Sequence, residues 1–550
     1  MRISLILRAV ITSWIAVIAN AAVGFLLTPY VLHHLGDEAY GLWVLTVNCV
    51  GYYGLLDLGV RSSVLRYVSR HQELGRREGI NEVVATAFYY YLAACLLIIV
   101  ATYSSVNWVS HFFPIQAELL PAFKSLYLLA GVVQGLTLPL VVFAGSLEAA
   151  GRYDQVYLTM VACLVLRVFA VISVLRAGGG LFGVGAATIL SQLLQYFIQV
   201  PLAFRSNKGL SLSPRWIRRT AFRDMFHYGS ITAAVGIGEN LRGYIYPVLI
   251  AKFLSPAAVT LFALPVKILA FPAQGIGTMT EIVNPLSSRL EARNDFARLR
   301  ELILNSSQAA FMVLVPMAVF LFVYGRELLT LWVGSQYASA YSILVFLTLG
   351  LGAAGTQCCI QSMLFGIERH KALIWYRLAE GLSVTLLGSI ALRIWGLEGF
   401  AAIIAVTLLL TSLVFVPRHL CHLLDLTLRR YLLQGCLKPC LLAIPVMVTF
   451  VSLHHLLQVD SWTDLIIVAS TGGLIYSMTL LLVMFSSSNL SKSWLQISVL
   501  EVLNQKLFRA RLPSTGPATG ALGSEEPPVD CVVAVHAPHR TASDHPSSEA

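Results

Sequence analysis

Charged side chains are scarce in the apolar runs of this 550-residue chain, and the few that occur there are chemically suggestive. Glu239 and Arg242 stand three residues apart, close enough to pair on one face of a helix. Lys267 lies in the next apolar run and Arg167 in an earlier one. An ionisable group inside a hydrocarbon layer is costly unless it faces protein or a wet cavity. A guanidinium or ammonium in a low-dielectric cleft binds anionic oxygens strongly, which makes Arg167, Arg242 and Lys267 candidate ligands for an anionic group. The plainer alternative is that each neutralises a nearby acid or extends to an interface. Glu239, beside a cation, is the better of two candidates for ion coupling, binding a proton or sodium in one state and releasing it in another. A static pair with Arg242 explains it equally well. Glu281 is the second candidate, and its place near the end of a run is also explained by simple solvation or capping.

The surrounding composition says what must position these groups. Hydrophobic residues make up 57% of the chain and charged ones 12%, with a mean hydropathy of +0.74. Runs of roughly 20 apolar residues are long enough to cross a bilayer, and about fourteen are legible. These values exclude a water-soluble globular domain and predict an all-α polytopic membrane protein. The first run follows Arg2 and Arg8 but is too long for a cleaved secretory signal, so it reads as a retained helix. The net charge of +10 is explained by location. Basic clusters such as Arg61–Arg77, Arg205–Arg223 and Arg289–Arg300 follow alternate runs, and the intervening loops are poor in Lys and Arg. This bias places both termini in the cytoplasm and removes any need for a nucleic-acid partner.

Two motifs recur at nearly one spacing. Gly180-Leu-Phe-Gly183 returns as Gly396-Leu-Glu-Gly399, 216 residues later, and Leu147–Arg152 matches Leu364–Arg369, 217 residues on. Six spans per copy bring both copies into the membrane from the same side. Their pseudo-two-fold axis then runs along the membrane normal, around a central cleft of the kind transporters use. The expected lobes are residues 1–208 and 224–417, joined by a basic linker, 209–223, that includes an amphipathic interfacial helix with Trp216 and Phe222 toward lipid. Residues 418–487 add a basic loop and two further spans. A surface helix and a Ser- and Pro-rich disordered tail fill 488–550. Close packing of small residues is sufficient to explain the glycines.

The opening residues carry a resemblance. Leu27-Thr-Pro-Tyr-Val-Leu-His-His-Leu-Gly36, the Tyr40-Gly41-Leu-Trp segment and Tyr53-Gly-Leu-Leu-Asp57-Leu-Gly59-Val-Arg61 resemble the polysaccharide-transport branch of the multidrug/oligosaccharidyl-lipid/polysaccharide (MOP) exporter superfamily. Leu147–Tyr153 resembles it as well, and the likeness runs over roughly residues 10–415. It implies alternating access between two six-helix lobes. It also implies an isoprenoid-pyrophosphate-linked sugar as cargo, for O-antigen, capsule or exopolysaccharide synthesis in the inner membrane. Arg167, Arg242 and Lys267 would then hold the phosphates. Asp57 and Arg61 match the family's Asp-x-Gly-x-Arg-like pattern, which implies a gate; a helix-end ion pair is the simpler account. Tyr244, Tyr246, Trp332 and Tyr376 are either sugar platforms or ordinary interfacial aromatics.

The chain carries no nucleophile elbow, Walker loop or His-Glu-x-x-His sequence, so neither an enzyme nor a cofactor or metal site is expected. Expected partners are the lipid-linked anionic glycan and membrane lipids, with a glycan polymerase or glycosyltransferases as further possibilities. Two other functions fit the same scaffold. A multidrug/cation antiporter would favour carboxylates in its cavity, whereas these spans hold Arg and Lys. An assembly factor for polysaccharide synthesis would use the extra helices for docking and move nothing.

Overall fold

A computed structural model describes residues 3–486 other than 281, and within them every regular element is helical. The first half contains α1 (Ile3–Leu35), α2 (Asp37–Gly51), α3 (Val60–Glu73), α4 (Arg77–Phe112), α5 (Leu120–Ala149), α6 (Tyr153–Arg176) and α7 (Gly180–Ser206). The second contains α8 (Arg219–Phe253), α9 (Pro256–Thr280), α10 (Val283–Ala292), α11 (Phe296–Val333), α12 (Ala340–Gly366) and α13 (Lys371–Leu410), which runs on through a π-helical turn into α14 (Val416–Leu423). The end of the described chain is α15 (Leu428–Tyr431), a second π turn, α16 (Lys438–Leu442), α17 (Ile444–Leu456) and α18 (Trp462–Ser486).

Among the described residues, twelve helical stretches are long and apolar enough to cross a membrane. The difference from about fourteen runs has two local causes. One stretch, Lys371–Leu423, is 53 residues long. At 1.5 Å per residue it would reach about 80 Å, far beyond a hydrocarbon core of about 30 Å. Its backbone breaks at Gly396 (φ 64°, ψ −149°), between the two expected runs. The other cause is α8, a single 35-residue helix whose apolar run is interrupted by Glu239, Asn240 and Arg242 and flanked by Arg219, Arg223, Asp224 and Lys252. Outward faces carry large apolar side chains such as Leu96, Val100, Leu386, Ile390 and Leu474, as expected of helices solvated by lipid.

The recurring motifs form matching local structures. At Leu147–Arg152 the amide of Arg152 donates to the Leu147 carbonyl at 2.9 Å, with Gly151 left-handed (φ 71°). At Leu364–Arg369 the amide of Arg369 donates to the Leu364 carbonyl at 2.9 Å, with Glu368 left-handed (φ 54°). Both are helix ends of the Schellman type. The Gly motif also repeats its geometry, with Gly180 at φ 53° and Gly396 at φ 64°. Turning the chain, more than helix packing, is therefore what these two glycines provide.

In the first half α4 packs on α5, α5 on α7, and α6 on both α7 and α1; in the second, α12 joins α9, α11 and α13, while α8 packs on α13. The halves meet through α2, which lies against α8 and α9, and through α3 against α8. The linker between them holds a single short turn, Pro214–Trp216, and α8 already begins at Arg219. The expected interfacial helix is thus absent as a separate element: Pro214 starts a turn, and Phe222 belongs to α8.

Candidate functional site

The first two candidate cations converge. Arg167 on α6 and Lys267 on α9, one from each half, line a single cavity of about 320 Å³. Its walls include Thr28, Tyr40, Trp43 and Asn48, and among the described residues no carboxylate lines it. Lys267 Nζ donates to Thr28 Oγ1 at 2.8 Å and lies 5.3 Å from the centroid of the Tyr40 ring, within cation–π range. Thr28 Oγ1 in turn donates to the Gly24 carbonyl, which fixes the orientation of the hydroxyl that receives Lys267. Two polar atoms at this cavity, Arg167 Nε and Tyr40 Oη, are buried without a hydrogen-bond partner. Among the described residues neither Arg167 nor Lys267 has an acidic partner. Cations inside a membrane span are normally paired, so two half-buried ones in one cavity, with no acidic partner among the described residues, have the charge that would suit an anion. The side chains of Glu239 and Arg242, and Glu281 altogether, lie outside the described residues.

Contacts join the halves on both sides of this cavity. At the end bearing the basic loops, Ser63 Oγ donates to the Met225 carbonyl at 2.8 Å, and the Arg66 guanidinium stacks on the Tyr228 ring at 4.2 Å. At the other end the hydroxyl of Thr260 donates to the Asp37 carbonyl at 2.6 Å, the Tyr337 hydroxyl donates to the Asp37 carboxylate, and a Cβ on Gly41 would fall on the carbonyl of Pro256.

Asp57 and Arg61 do not form a simple pair. The Asp57 carboxylate accepts from the Tyr91 hydroxyl and, at 3.3 Å, from the backbone amide of Arg61. The Arg61 guanidinium instead binds Glu148 on α5 at 2.8 Å. Together they line a cavity of about 420 Å³ that also touches Ala233 and Gly236 on α8. Asp57 therefore braces the start of α3, where Leu58 and Gly59 are both left-handed. Gly59 then meets Gly229 of α8 backbone to backbone.

That contact yields a prediction. Gly59→Ala adds a Cβ at φ 75° that would collide with the Gly229 backbone. Closure at this end should weaken, so disulfide formation between R66C and Y228C, in a background lacking native cysteines, should fall at least about tenfold, the equivalent of 1.4 kcal/mol. Unchanged cross-linking would remove the close approach as a determinant of closure.

A second polar group escaped the sequence reading. Arg377 and Glu380 on α13 are 4% and 1% exposed. Arg377 Nη1 donates to Glu380 Oε2 at 3.0 Å and to Gln357 Oε1 at 3.1 Å, and Nη2 donates to Gln361 Oε1 at 2.9 Å. Gln357 Nε2 closes the ring on Glu380 Oε1 at 3.1 Å. The α8 segment carrying Glu239 packs here too, since a Cβ on Gly238 would lie 2.7 Å from Arg377 Cβ. The signal was present in the sequence as an ionisable i, i+3 pair in an apolar run, the same signal that marked Glu239 and Arg242.

The aromatic candidates divide. Trp332, 4% exposed, stacks on Phe25 at 4.8 Å and donates its Nε1 to the Phe25 carbonyl, leaving no face for a sugar. Tyr246 is held against Phe262 and Phe400, Tyr376 against His419, and Tyr244 against Tyr52.

The comparisons with known proteins point one way. Residues 35–342 match the family described as polysaccharide biosynthesis protein. The uncharacterized membrane protein EpsK of Bacillus subtilis (strain 168) is 22% identical over 479 residues, covering 82% of this chain and 90% of its own length. Among solved structures, the lipid II flippase MurJ in an inward closed conformation superposes with a TM-score of 0.68 at 13% identity, over 87% of this chain and 99% of that one. An inward-facing multidrug resistance MATE family transporter of the MOP superfamily gives 0.66 at 15% identity, over 76% and 99%. At these identities the structural likenesses establish the fold.

Proposed function

The chain belongs to the polysaccharide biosynthesis protein family, in the polysaccharide-transport branch of the MOP superfamily, and from that premise we propose that it is a flippase for an isoprenoid-pyrophosphate-linked oligosaccharide. It is a multi-pass membrane protein on a transporter fold. The observation that carries the reading is the cavity between the halves, where Arg167 and Lys267 stand with no lining carboxylate among the described residues. A pyrophosphate brings the negative charge this cavity lacks, and a low-dielectric surround strengthens the attraction. The same polarity speaks against a cation antiporter, whose cargo would be repelled. An assembly factor needs no internal cavity of either sign.

In this proposal fourteen spans form two six-helix lobes around an axis along the membrane normal, with both termini cytoplasmic and two extra helices outside the repeat. The lobes close alternately at the contacts described above. Arg242 joins the phosphate-binding pair, Glu239 or Glu281 couples the cycle to an ion, and the Asp57–Arg61 region is part of the cytoplasmic gate. Reconstitution into liposomes with an isoprenyl-pyrophosphate-linked saccharide tests the whole, scoring its appearance in the far leaflet. Movement of that lipid but not of lipophilic cations is the expected result. Efflux of lipophilic cations with no movement of the saccharide lipid would replace the proposal with the antiporter.

A further inference from the structure

The second half holds another cavity, about 280 Å³, bounded by α9, α11, α12 and α13. Its polar lining comes from Thr348, Gln357, Gln361 and Arg377, and the rest is apolar, including Pro272 and Met317. Its size is close to the lower end for ligand pockets, about 300 Å³, enough for one ring-sized group. Among the described residues the charge here is balanced, unlike that of the Arg167–Lys267 cavity, because Arg377 is bonded to Glu380 at 3.0 Å. Such a cavity exerts little net pull on phosphate. Nor does it suit a cation: both Glu380 oxygens are already engaged, and a guanidinium stands beside them.

What remains is a set of planar amides and a guanidinium held rigid by mutual hydrogen bonds beside apolar walls. Side chains cross-linked in this way are pre-organised, and amide and guanidinium groups pair with neighbouring hydroxyls. The geometry points to a subsite for one uncharged sugar ring of the cargo, separate from the phosphate-binding cavity. The division of labour is chemical: unpaired cations take the pyrophosphate, and the neutral network takes hydroxyls. A subsite built on hydrogen bonds to hydroxyls discriminates strongly against a ligand that lacks them.

Gly352 lines this cavity, and a Cβ placed there meets nothing within 4 Å. Gly352→Leu should therefore fill the cavity while leaving the Arg377 network intact. The inference rests on the flippase reading for the lipid, so binding and transport are measured separately. The purified full-length protein is titrated with isoprenyl pyrophosphate and with the same lipid bearing one N-acetylhexosamine. The parent should bind the glycosylated lipid about tenfold more tightly, a gap of 1.4 kcal/mol. G352L should equalise the two, with affinity for the bare lipid unchanged as proof of folding. Equal affinities in the parent, or a preference that survives G352L, would overturn the subsite. A preference abolished by G352L upholds it even where liposomes show no movement of either lipid; that second result refutes the flippase reading alone.

Discussion

Arg377→Met should be among the most destabilising single substitutions available in this chain. The change removes the guanidinium and leaves Glu380, 1% exposed, with its Oε2 stripped of a donor 3.0 Å away. It also takes one donor from each of the side-chain carbonyls of Gln357 and Gln361, which accept from the same guanidinium. Breaking one partner of a buried ion pair costs about 3–5 kcal/mol, because the remaining charge keeps its desolvation penalty. A loss of that size is comparable to the margin by which proteins stay folded. Little R377M should accumulate in membranes, and thermal unfolding in detergent should show a large fall in Tm. The double variant R377M/E380M removes both charges and should recover most of it, since a buried pair is often worth no more than apolar residues of similar volume. An R377M Tm equal to the parent's would mean that water reaches Glu380.

Much of the architecture was legible because membrane solvation writes it in long strokes. Apolar runs gave the helices, and the paired motifs at Leu147 and Leu364 fold into the same left-handed helix end. The linker around Trp216 was misread for a physical reason. Basic and aromatic residues there resemble an interfacial helix in composition, but Pro214 sets a turn and the following residues extend α8. The site was legible in kind and less so in detail. Rarity of charge singled out Arg167 and Lys267, which prove to share a cavity although 100 residues separate them. No periodicity announces that meeting, which depends on how α6 and α9 are held against α1 and α2. The Asp57–Arg61 spacing suggested a pair, yet Glu148, 87 residues from Arg61, is the real partner. Trp332 shows the converse: the residue type suited a sugar, and only packing against Phe25 reveals a core role.

Arg167→Met and Lys267→Met should produce the opposite pattern to Arg377→Met. These cations have no acidic partner among the described residues, so their removal strands no buried carboxylate. Burying an uncompensated charge or an unpaired Arg167 Nε costs stability, and a flexible apolar chain of similar length relieves that cost. Each variant should therefore accumulate normally, with a Tm equal to or above the parent's. Function should move the other way. A hydrogen bond to a charged group contributes about 1.5–3 kcal/mol, so each substitution should lower affinity for the pyrophosphate lipid by about 10- to 150-fold. The double variant should carry no measurable lipid across liposome membranes. Gain of stability with loss of function is the mark of residues kept for a ligand. Loss of both together would instead show that the two cations hold the halves in place, and full transport by the double variant would remove the phosphate assignment altogether.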